Sequence, residues 1–155
     1  MITLEHITQP TDDARALIEE LDADLRGPYD PDQHHGFSID RVFASGLLFF
    51  VAKLDGMAVG CGGIAFDDGY AELKRMYVRP AARGRGAAQA VLERLEAEAK
   101  AKGFKRLTLE TGDVQHAAIK VYERAGFTVC GPFGEYLNLP PRTIERSVFM
   151  EKRIA

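Results

Sequence analysis

The amino-acid sequence predicts an α/β protein built around a mixed sheet, and three features of the chain carry this prediction. Two apolar runs, 47–54 and 57–66, flank Asp55-Gly56, the strongest short-range signal for a β-hairpin. A second turn over 67–69 leads into another strand-like run, so three antiparallel strands follow one another. Helical periodicity begins near Gly84 and then alternates with strand segments, which is typical of layered α/β proteins.

The first 45 residues predict one strand and two helices. We expect a strand from Ile2 to Ile7 and then a helix capped by Thr11, which stops at Gly27-Pro28. The passage that follows is rich in turn residues and precedes a short helix from about Ser38.

The second half of the chain predicts two longer helices and three strands. The helix from Gly84 to Lys102 has an apolar face, and Gly103 is suited to end it. The predicted ion pairs on its exposed face are Glu96/Lys100 and Glu98/Lys102. Asp113 is expected to cap a helix that ends at Gly126, and strands are expected at 105–110, 127–130 and 147–154.

Length and composition predict one globular domain over residues 1–155. Hydrophobic residues make up 46% and charged residues 28% of the chain, which are ordinary values for a globular protein. The net charge of −3 argues against a nucleic-acid partner, because neutralising many phosphates needs a basic surface. Any anion site must therefore be local.

Cysteine usage and the amino terminus predict a cytoplasmic protein. Cys61 and Cys130 lack metal-ligand spacing and are expected to be buried thiols in a reducing compartment. The first ten residues do not resemble a secretory signal, and the longest strongly apolar run, Gly46 to Ala52, is too short to cross a membrane. We expect neither a membrane partner nor a metal.

An arginine- and glycine-rich turn predicts a site for a phosphate group. The turn Arg83-Gly84-Arg85-Gly86 lies between a strand that ends near Val78 and the helix that follows. The first amides of a helix lack internal partners and lie at its positive end, so they bind anions. Glycines let a phosphate approach the backbone, and arginines, including Arg79, supply donors for its oxygens.

Two familiar phosphate-binding patterns fit this turn poorly or only in part. The P-loop pattern fails, since no lysine followed by serine or threonine is present. The dinucleotide pattern fits in Gly84-x-Gly86 and in Glu110 at the end of the next strand, but Gln89 takes the place of the third glycine. A nucleotide-binding module therefore remains the alternative.

Two motifs resemble those of the GNAT superfamily of acetyl-CoA-dependent N-acetyltransferases. Arg83-x-x-Gly86-x-Ala88 is similar to the family's R/Q-x-x-G-x-G/A motif, and the segment 115–127 is similar to N-x-x-A-x-x-L-Y-x-x-x-G-F, with Gln115 at the asparagine position. The endings PFGEY and SVFMEK resemble a small bacterial subgroup. The resemblance implies a central, mostly antiparallel sheet of six or seven strands flanked by about four helices.

The resemblance also implies how acetyl-CoA, the co-substrate, binds. Backbone amides from Arg83 through Ala88 would hold its pyrophosphate. The cofactor-binding residues expected on this basis are Met76, Tyr77, Val78, Arg83, Gly84, Arg85, Gly86, Ala87, Ala88 and Gln115. Met76 and Val78 would offer main-chain groups to the pantetheine and the thioester, and Tyr122 would lie near the sulfur as general acid.

The strand from Ala71 to Val78 carries the candidate base. Alternation predicts Glu72, Lys74, Met76 and Val78 on one face of the strand and Leu73, Arg75 and Tyr77 on the other. Charged residues are rare in a central strand, and a cleft would explain them. Glu72 is the candidate base, directly or through water; an ordinary ion pair with Lys74 or Arg75 is the alternative.

The expected reaction is transfer of an acetyl group to the amine of a small molecule. Candidate substrate residues are Tyr29, His34, Arg75, Glu110 and Tyr136. The planar fork of Arg75 would suit a carboxylate, and hence an amino acid or a related zwitterion. Alternatives are a protein amine as acceptor or a sensor that binds acyl-CoA without catalysis, and the family analogy admits a homodimer.

Overall fold

The computed structural model describes residues 1–35 and 37–155 and contains one seven-stranded sheet in the order β1-β2-β3-β4-β5-β7-β6. The strands are β1 (Ile2–Ile7), β2 (Leu48–Leu54), β3 (Met57–Phe66), β4 (Ala71–Val78), β5 (Arg106–Gly112), β6 (Thr128–Cys130) and β7 (Ser147–Arg153). All neighbouring strands are antiparallel except β4 and β5. The mixed, mostly antiparallel sheet predicted from the sequence is confirmed.

In the part of the chain that the structure describes, five α-helices accompany the sheet. They are α1 (Asp12–Arg26), α2 (Ile39–Ala44), α3 (Ala87–Ala101), α4 (His116–Arg124) and the one-turn α5 (Pro141–Ile144). As expected, the hydroxyls of Thr11 and Ser38 accept hydrogen bonds from first-turn amides of α1 and α2. None of the described helices is long and apolar enough to span a membrane.

The helices pack on opposite faces of the sheet and bury two apolar cores. One core contains the apolar faces of α3 and α4, with Val91, Leu95 and Tyr122 among its members. The other contains the apolar faces of α1 and α2, with Leu17 and Val42. Helices α1 to α4 are therefore held by burial of their apolar faces against the sheet.

The parallel pair β4 and β5 separates soon after it forms. Only Ala71↔Leu107 and Glu72↔Thr108 are in register, so β4 from Leu73 onward has no partner in β5. Backbone groups of the second half of β4 are consequently left facing the gap between the two strands.

A β-bulge in β4 changes the direction of its side chains. Arg75 and Met76 stand opposite the single residue Gly62 of β3, and Arg75 has a positive φ of 58°. After the bulge, Met76 packs on the α3 side like Leu73, although the two positions differ by three. The extra residue therefore reverses the alternation.

The predicted face of β4 is accordingly wrong in its second half. Met76 and Val78 pack against the α3 core, whereas Glu72 and Lys74 lie on the other face and contact Tyr136. Simple alternation cannot anticipate a bulge, because the bulge depends on the register with β3.

Two local predictions are also corrected. Asp113 does not cap α4, which begins after Gln115 without a side-chain cap; Asp113 instead binds Arg146 of the loop before β7. Glu98 pairs with Arg94 and not with Lys102, while the Glu96/Lys100 pair forms at 3.1 Å. In both cases a stronger or better-placed guanidinium is available.

Candidate active site

The glycine-rich turn presents free backbone amides at the start of α3. Gly84 and Gly86 have φ angles of 81° and 89°, a conformation that L side chains rarely adopt, and Gly86 is the N-cap. No side chain caps this helix end, so its first amides point outward without a protein partner among the described residues. The Nε of Arg83 donates to the carbonyl of Val78 at 3.1 Å and stiffens the turn.

The other two arginines near the turn lie elsewhere. Arg79 donates to both carboxylate oxygens of Glu20 at 2.8–3.1 Å and to the carbonyl of Ala58, so its charge is already neutralised. Arg85 is exposed and lines neither of the cavities described below. Arg83 is thus the arginine of the turn that lies along the cleft.

A cleft of about 1050 Å³ lies between α3 and α4 at the separated strands. Its lining includes most of the residues predicted to bind the cofactor, namely Met76, Tyr77, Val78, Arg83, Gly84, Gly86, Ala87, Ala88 and Gln115. The cleft runs from the free amides of α3 to the exposed backbone of β4. Its length and its amide-lined end suit a long phosphorylated ligand.

A smaller cavity of about 120 Å³ lies on the other side of β4 and meets the cleft. The predicted substrate residues all line it, namely Tyr29, His34, Arg75, Glu110 and Tyr136, together with Glu72. Both cavities are lined by Leu21, Met76, Gln115, Ala118 and Tyr122. The phenol of Tyr122 therefore lies where the two spaces join.

Glu72 belongs to a buried cluster with Lys74 and Tyr136. One carboxylate oxygen of Glu72 accepts the Tyr136 hydroxyl at 2.7 Å and the Lys74 ammonium at 3.0 Å. Lys74 also donates to the Tyr136 hydroxyl at 3.1 Å. Burial, together with the charge of Glu72, raises the pKa of Tyr136 far above its usual range, so this tyrosine stays protonated.

The carboxylate of Glu110, unlike that of Glu72, has no cationic partner among the described residues. It lies near the end of β5, and its carboxylate accepts a hydrogen bond from the Ser147 hydroxyl at 2.7 Å. Burial raises the pKa of Glu110 above the usual range of a glutamate, and the negative charge of Glu72 adds to the effect, while His35 and Lys74 oppose it.

Tyr122 is 7% exposed and packs edge-on against Phe127 at a centroid distance of 6.0 Å. Burial raises the pKa of Tyr122 well above that of a free tyrosine, and the charge of Glu110 raises it further. Glu110 and Tyr122 both line the smaller cavity.

Arg75 is paired with a carboxylate that does not line the cavity. Its guanidinium is 3% exposed and forms an ion pair with Asp22 of α1. Its Nε is enclosed by protein and has no hydrogen-bond partner among the described residues. Its backbone carbonyl accepts the thiol of Cys61 at 3.3 Å, and burial raises the pKa of that thiol to about 12.

Tyr29 joins the wall of the smaller cavity to the loop before α4. Its hydroxyl accepts the Val114 amide at 3.0 Å and donates to Asp113 at 3.3 Å. Arg146 binds both oxygens of Asp113, donates to the carbonyl of Pro28 at 2.6 Å and lies over the Tyr29 ring. A Cβ at Gly112 would collide with this phenol, which explains the glycine.

Sequence reasoning missed Lys74, Asp113 and Arg146 as parts of the site. Lys74 was expected only as an ion-pair partner, and Arg146 has no local signal, since its partners are far away in the chain. His34 lines the smaller cavity, and its Nε2 is held by the carbonyls of Leu25 and Tyr29 at 3.0 and 3.2 Å.

Comparison with known proteins identifies the family. The acetyltransferase (GNAT) family model matches residues 14–127. An IAA acetyltransferase of Azospirillum brasilense is 44% identical over 138 residues, which cover 88% of this chain and 87% of that protein. The structure of a Klebsiella pneumoniae protein, assigned as an acyl-CoA N-acyltransferase, has a TM-score of 0.80 at 34% identity and covers 100% of this chain and 99% of its own.

A further solved structure shares the fold. The PaiA N-acetyltransferase of Thermoplasma acidophilum, solved with coenzyme A, shares the fold with a TM-score of 0.72 at 20% identity, covering 98% of this chain and 99% of that one. Fold and cleft thus define an acyl-CoA-dependent transferase. The chain belongs to the GNAT acetyltransferase family and uses acetyl-CoA as co-substrate. The alternative of a dinucleotide-binding module is wrong.

Proposed function

We propose that this N-acetyltransferase transfers the acetyl group to the amine of a small molecule held in the smaller cavity. The observation that carries the proposal is the junction of the two cavities at Met76 and Tyr122. A thioester delivered along the cleft and an amine in the smaller cavity would meet there. The volume of about 120 Å³ favours a small acceptor.

Backbone groups supply the cofactor contacts in this proposal. The free amides at the start of α3 bind the pyrophosphate, and Gly86 leaves the approach open. The bulge takes Met76 out of register with β3, and the separation of the strands leaves it without a partner in β5. Its N–H is therefore suited to the oxyanion that forms at the thioester carbon, where one such donor contributes about 3 kcal/mol.

Glu110 is a better base than Glu72 on the geometry. The carboxylate of Glu72 is held by an ammonium and a hydroxyl, and such contacts stabilise the anion and weaken it as a base. Glu110 has one hydroxyl donor, and its raised pKa brings it nearer to the operating pH of a general base. We therefore assign the base to Glu110 and give Glu72 the task of holding Lys74 and Tyr136.

Tyr122 serves the departing sulfur. A thiol has a reference pKa of about 8.5, so full transfer of the proton from a tyrosine of raised pKa to a thiolate is uphill. A hydrogen bond from the Tyr122 hydroxyl still stabilises the developing thiolate. The sequence predicted Tyr122 as the general acid. In this proposal Tyr122 still acts at the coenzyme sulfur, but it donates a hydrogen bond and does not transfer its proton.

The proposed step balances as follows. The neutral amine attacks the thioester carbon, the new N–C bond forms, and the carbonyl oxygen becomes an oxyanion beside the Met76 N–H. Glu110 takes the proton that the nitrogen loses. The C–S bond then breaks, and the thiolate leaves with the Tyr122 hydrogen bond and is protonated as the product departs.

A thiol-release assay with a panel of small amines tests the proposed function. Free coenzyme A should appear only when both acetyl-CoA and an acceptor are present, and the acetylated amine should be found in equal amount by mass spectrometry. Binding of acetyl-CoA by calorimetry, with no turnover across small amines and turnover of a peptide amine, would assign the acceptor to proteins. Binding without any turnover would support a sensor.

A further inference from the structure

We infer that the acceptor enters the smaller cavity as a small ammonium ion that carries no carboxylate, and that Glu110 is its counter-ion. The inference rests on the proposed function and adds the charge class of the acceptor. It replaces the zwitterionic acceptor expected from Arg75 alone.

Each lysine or arginine that lines the smaller cavity already has a carboxylate partner. Lys74 pairs with Glu72 at 3.0 Å, Arg75 with Asp22, and Arg146 with Asp113 at 3.0 Å. Asp22 and Asp113 do not line the cavity. The three cations are therefore compensated before any ligand arrives.

Glu110 is the lining carboxylate without such a partner among residues 1–35 and 37–155. Its hydrogen bond comes from the neutral hydroxyl of Ser147. Glu72 compensates the charge of Lys74, and carboxylates outside the cavity lining compensate the two arginines. The ionised carboxylate of Glu110 therefore remains as one uncompensated negative charge in the cavity. An entering ammonium ion would compensate it and would place the nitrogen beside the base. The ammonium releases one proton to solvent to give the neutral amine that attacks, and Glu110 takes the second proton that the nitrogen loses.

A carboxylate on the acceptor would find no free donor pair. The Nε of Arg75 is enclosed by protein atoms and its Nη2 is held by Asp22, so Nη1 is its single remaining donor among the described residues. Arg146 uses all three of its nitrogens on Asp113 and on the carbonyl of Pro28. Binding a carboxylate through two donors would require breaking one of these pairs, which leaves another charge without its partner.

Three acceptors of equal heavy-atom number and shape separate charge from size and polarity. 3-Methylbutylamine and β-alanine have amines of similar basicity and branched ends of the same shape, one apolar and one anionic. β-Alaninamide is polar but neutral at that end. Steady-state kcat/KM should be at least about tenfold lower for β-alanine than for both other amines, because it alone carries a like charge.

The result that overturns the inference is a β-alanine value equal to or above that of 3-methylbutylamine. An equal decrease in kcat/KM for β-alaninamide and β-alanine would also overturn it, since the polarity of the acceptor and not its charge would then determine the rate. If none of the three is turned over while acetyl-CoA binds and the small-amine panel is also inactive, the proposed function itself fails. If amines react but the carboxylate makes no difference, only this inference fails.

A variant of Asp22, the ion-pair partner of Arg75, provides a second test. Asp22→Asn removes the counter-ion of Arg75 without touching the cavity, so it should raise the ratio of kcat/KM for β-alanine to that for 3-methylbutylamine several-fold. Glu19→Gln, an exposed change of equal charge on the same helix, is the matched control and should leave the ratio unchanged. An unchanged ratio in folded Asp22→Asn would contradict the compensation on which the inference rests.

Discussion

The cofactor cleft and the smaller acceptor cavity are built in different ways. The cleft uses backbone amides, glycines and small side chains, and much of its anion-binding end comes from the single segment Arg83 to Ala88. The cavity uses charged and aromatic side chains drawn from the segment after α1, from β4 and β5, and from the segment between β6 and β7. A site made of backbone groups can be recognised in a short segment of sequence, whereas a site made of side chains from several elements forms only when the chain folds.

The two regions also differ in how their polar groups are satisfied. The amides at the start of α3 have no side-chain cap and are free to bind a ligand. In the cavity, Lys74, Arg75 and Arg146 each hold a carboxylate of the protein. The cleft should therefore govern affinity for acetyl-CoA, and the cavity should govern the choice and activation of the acceptor.

The largest expected effect separates the two carboxylates of the cavity. Glu110→Gln should lower kcat by about 10² to 10⁴, because general base catalysis contributes that much. Glu72→Gln, the matched change on the neighbouring strand, should have a clearly smaller effect. The measurement is steady-state kinetics with one amine, with affinity for acetyl-CoA checked by calorimetry. A larger loss in Glu72→Gln would return the base to Glu72.

A substitution in the glycine turn tests acetyl-CoA binding in the cleft and leaves the smaller cavity unchanged. Gly86→Val places a Cβ at the helix start and strains a residue whose φ is 89°, so the dissociation constant of acetyl-CoA should rise by about tenfold or more. The kcat at saturation should change little. Gly69→Val, at an equally positive φ of 86° in the distant hairpin turn, is the control for backbone strain alone. Equal effects of both variants would place the pyrophosphate elsewhere.

The smallest expected effect is a shift in pH dependence. A base works when deprotonated, so kcat/KM should rise with pH as Glu110 loses its proton, and its raised pKa places this limb above the usual glutamate range. Since the charge of Glu72 contributes to the raised pKa, Glu72→Gln should move the limb to lower pH with the same acceptor. A limb that stays in place or moves upward would contradict this coupling.

Much of the fold follows from local signals. Asp55-Gly56 adopts positive φ angles of 51° and 86° in the predicted hairpin, and Thr11 caps α1 as expected. The anion-binding end of the cleft also follows from the sequence, because a glycine turn before a helix creates free amides by itself. Arg79 shows the limit, since Glu20 on α1 decides where its guanidinium lies.

The sequence by itself determined the order of the elements, the hairpin, the phosphate turn and the family. Only the tertiary structure decided which charges of the cavity are free, because the partners Asp22, Asp113 and Ser147 come from distant parts of the chain. The bulge at Arg75 likewise depends on pairing with β3, and it turns Met76 toward the cleft. The physical reason is that ion pairing, burial and register act between residues far apart in sequence, whereas turns and helix ends are set by neighbours.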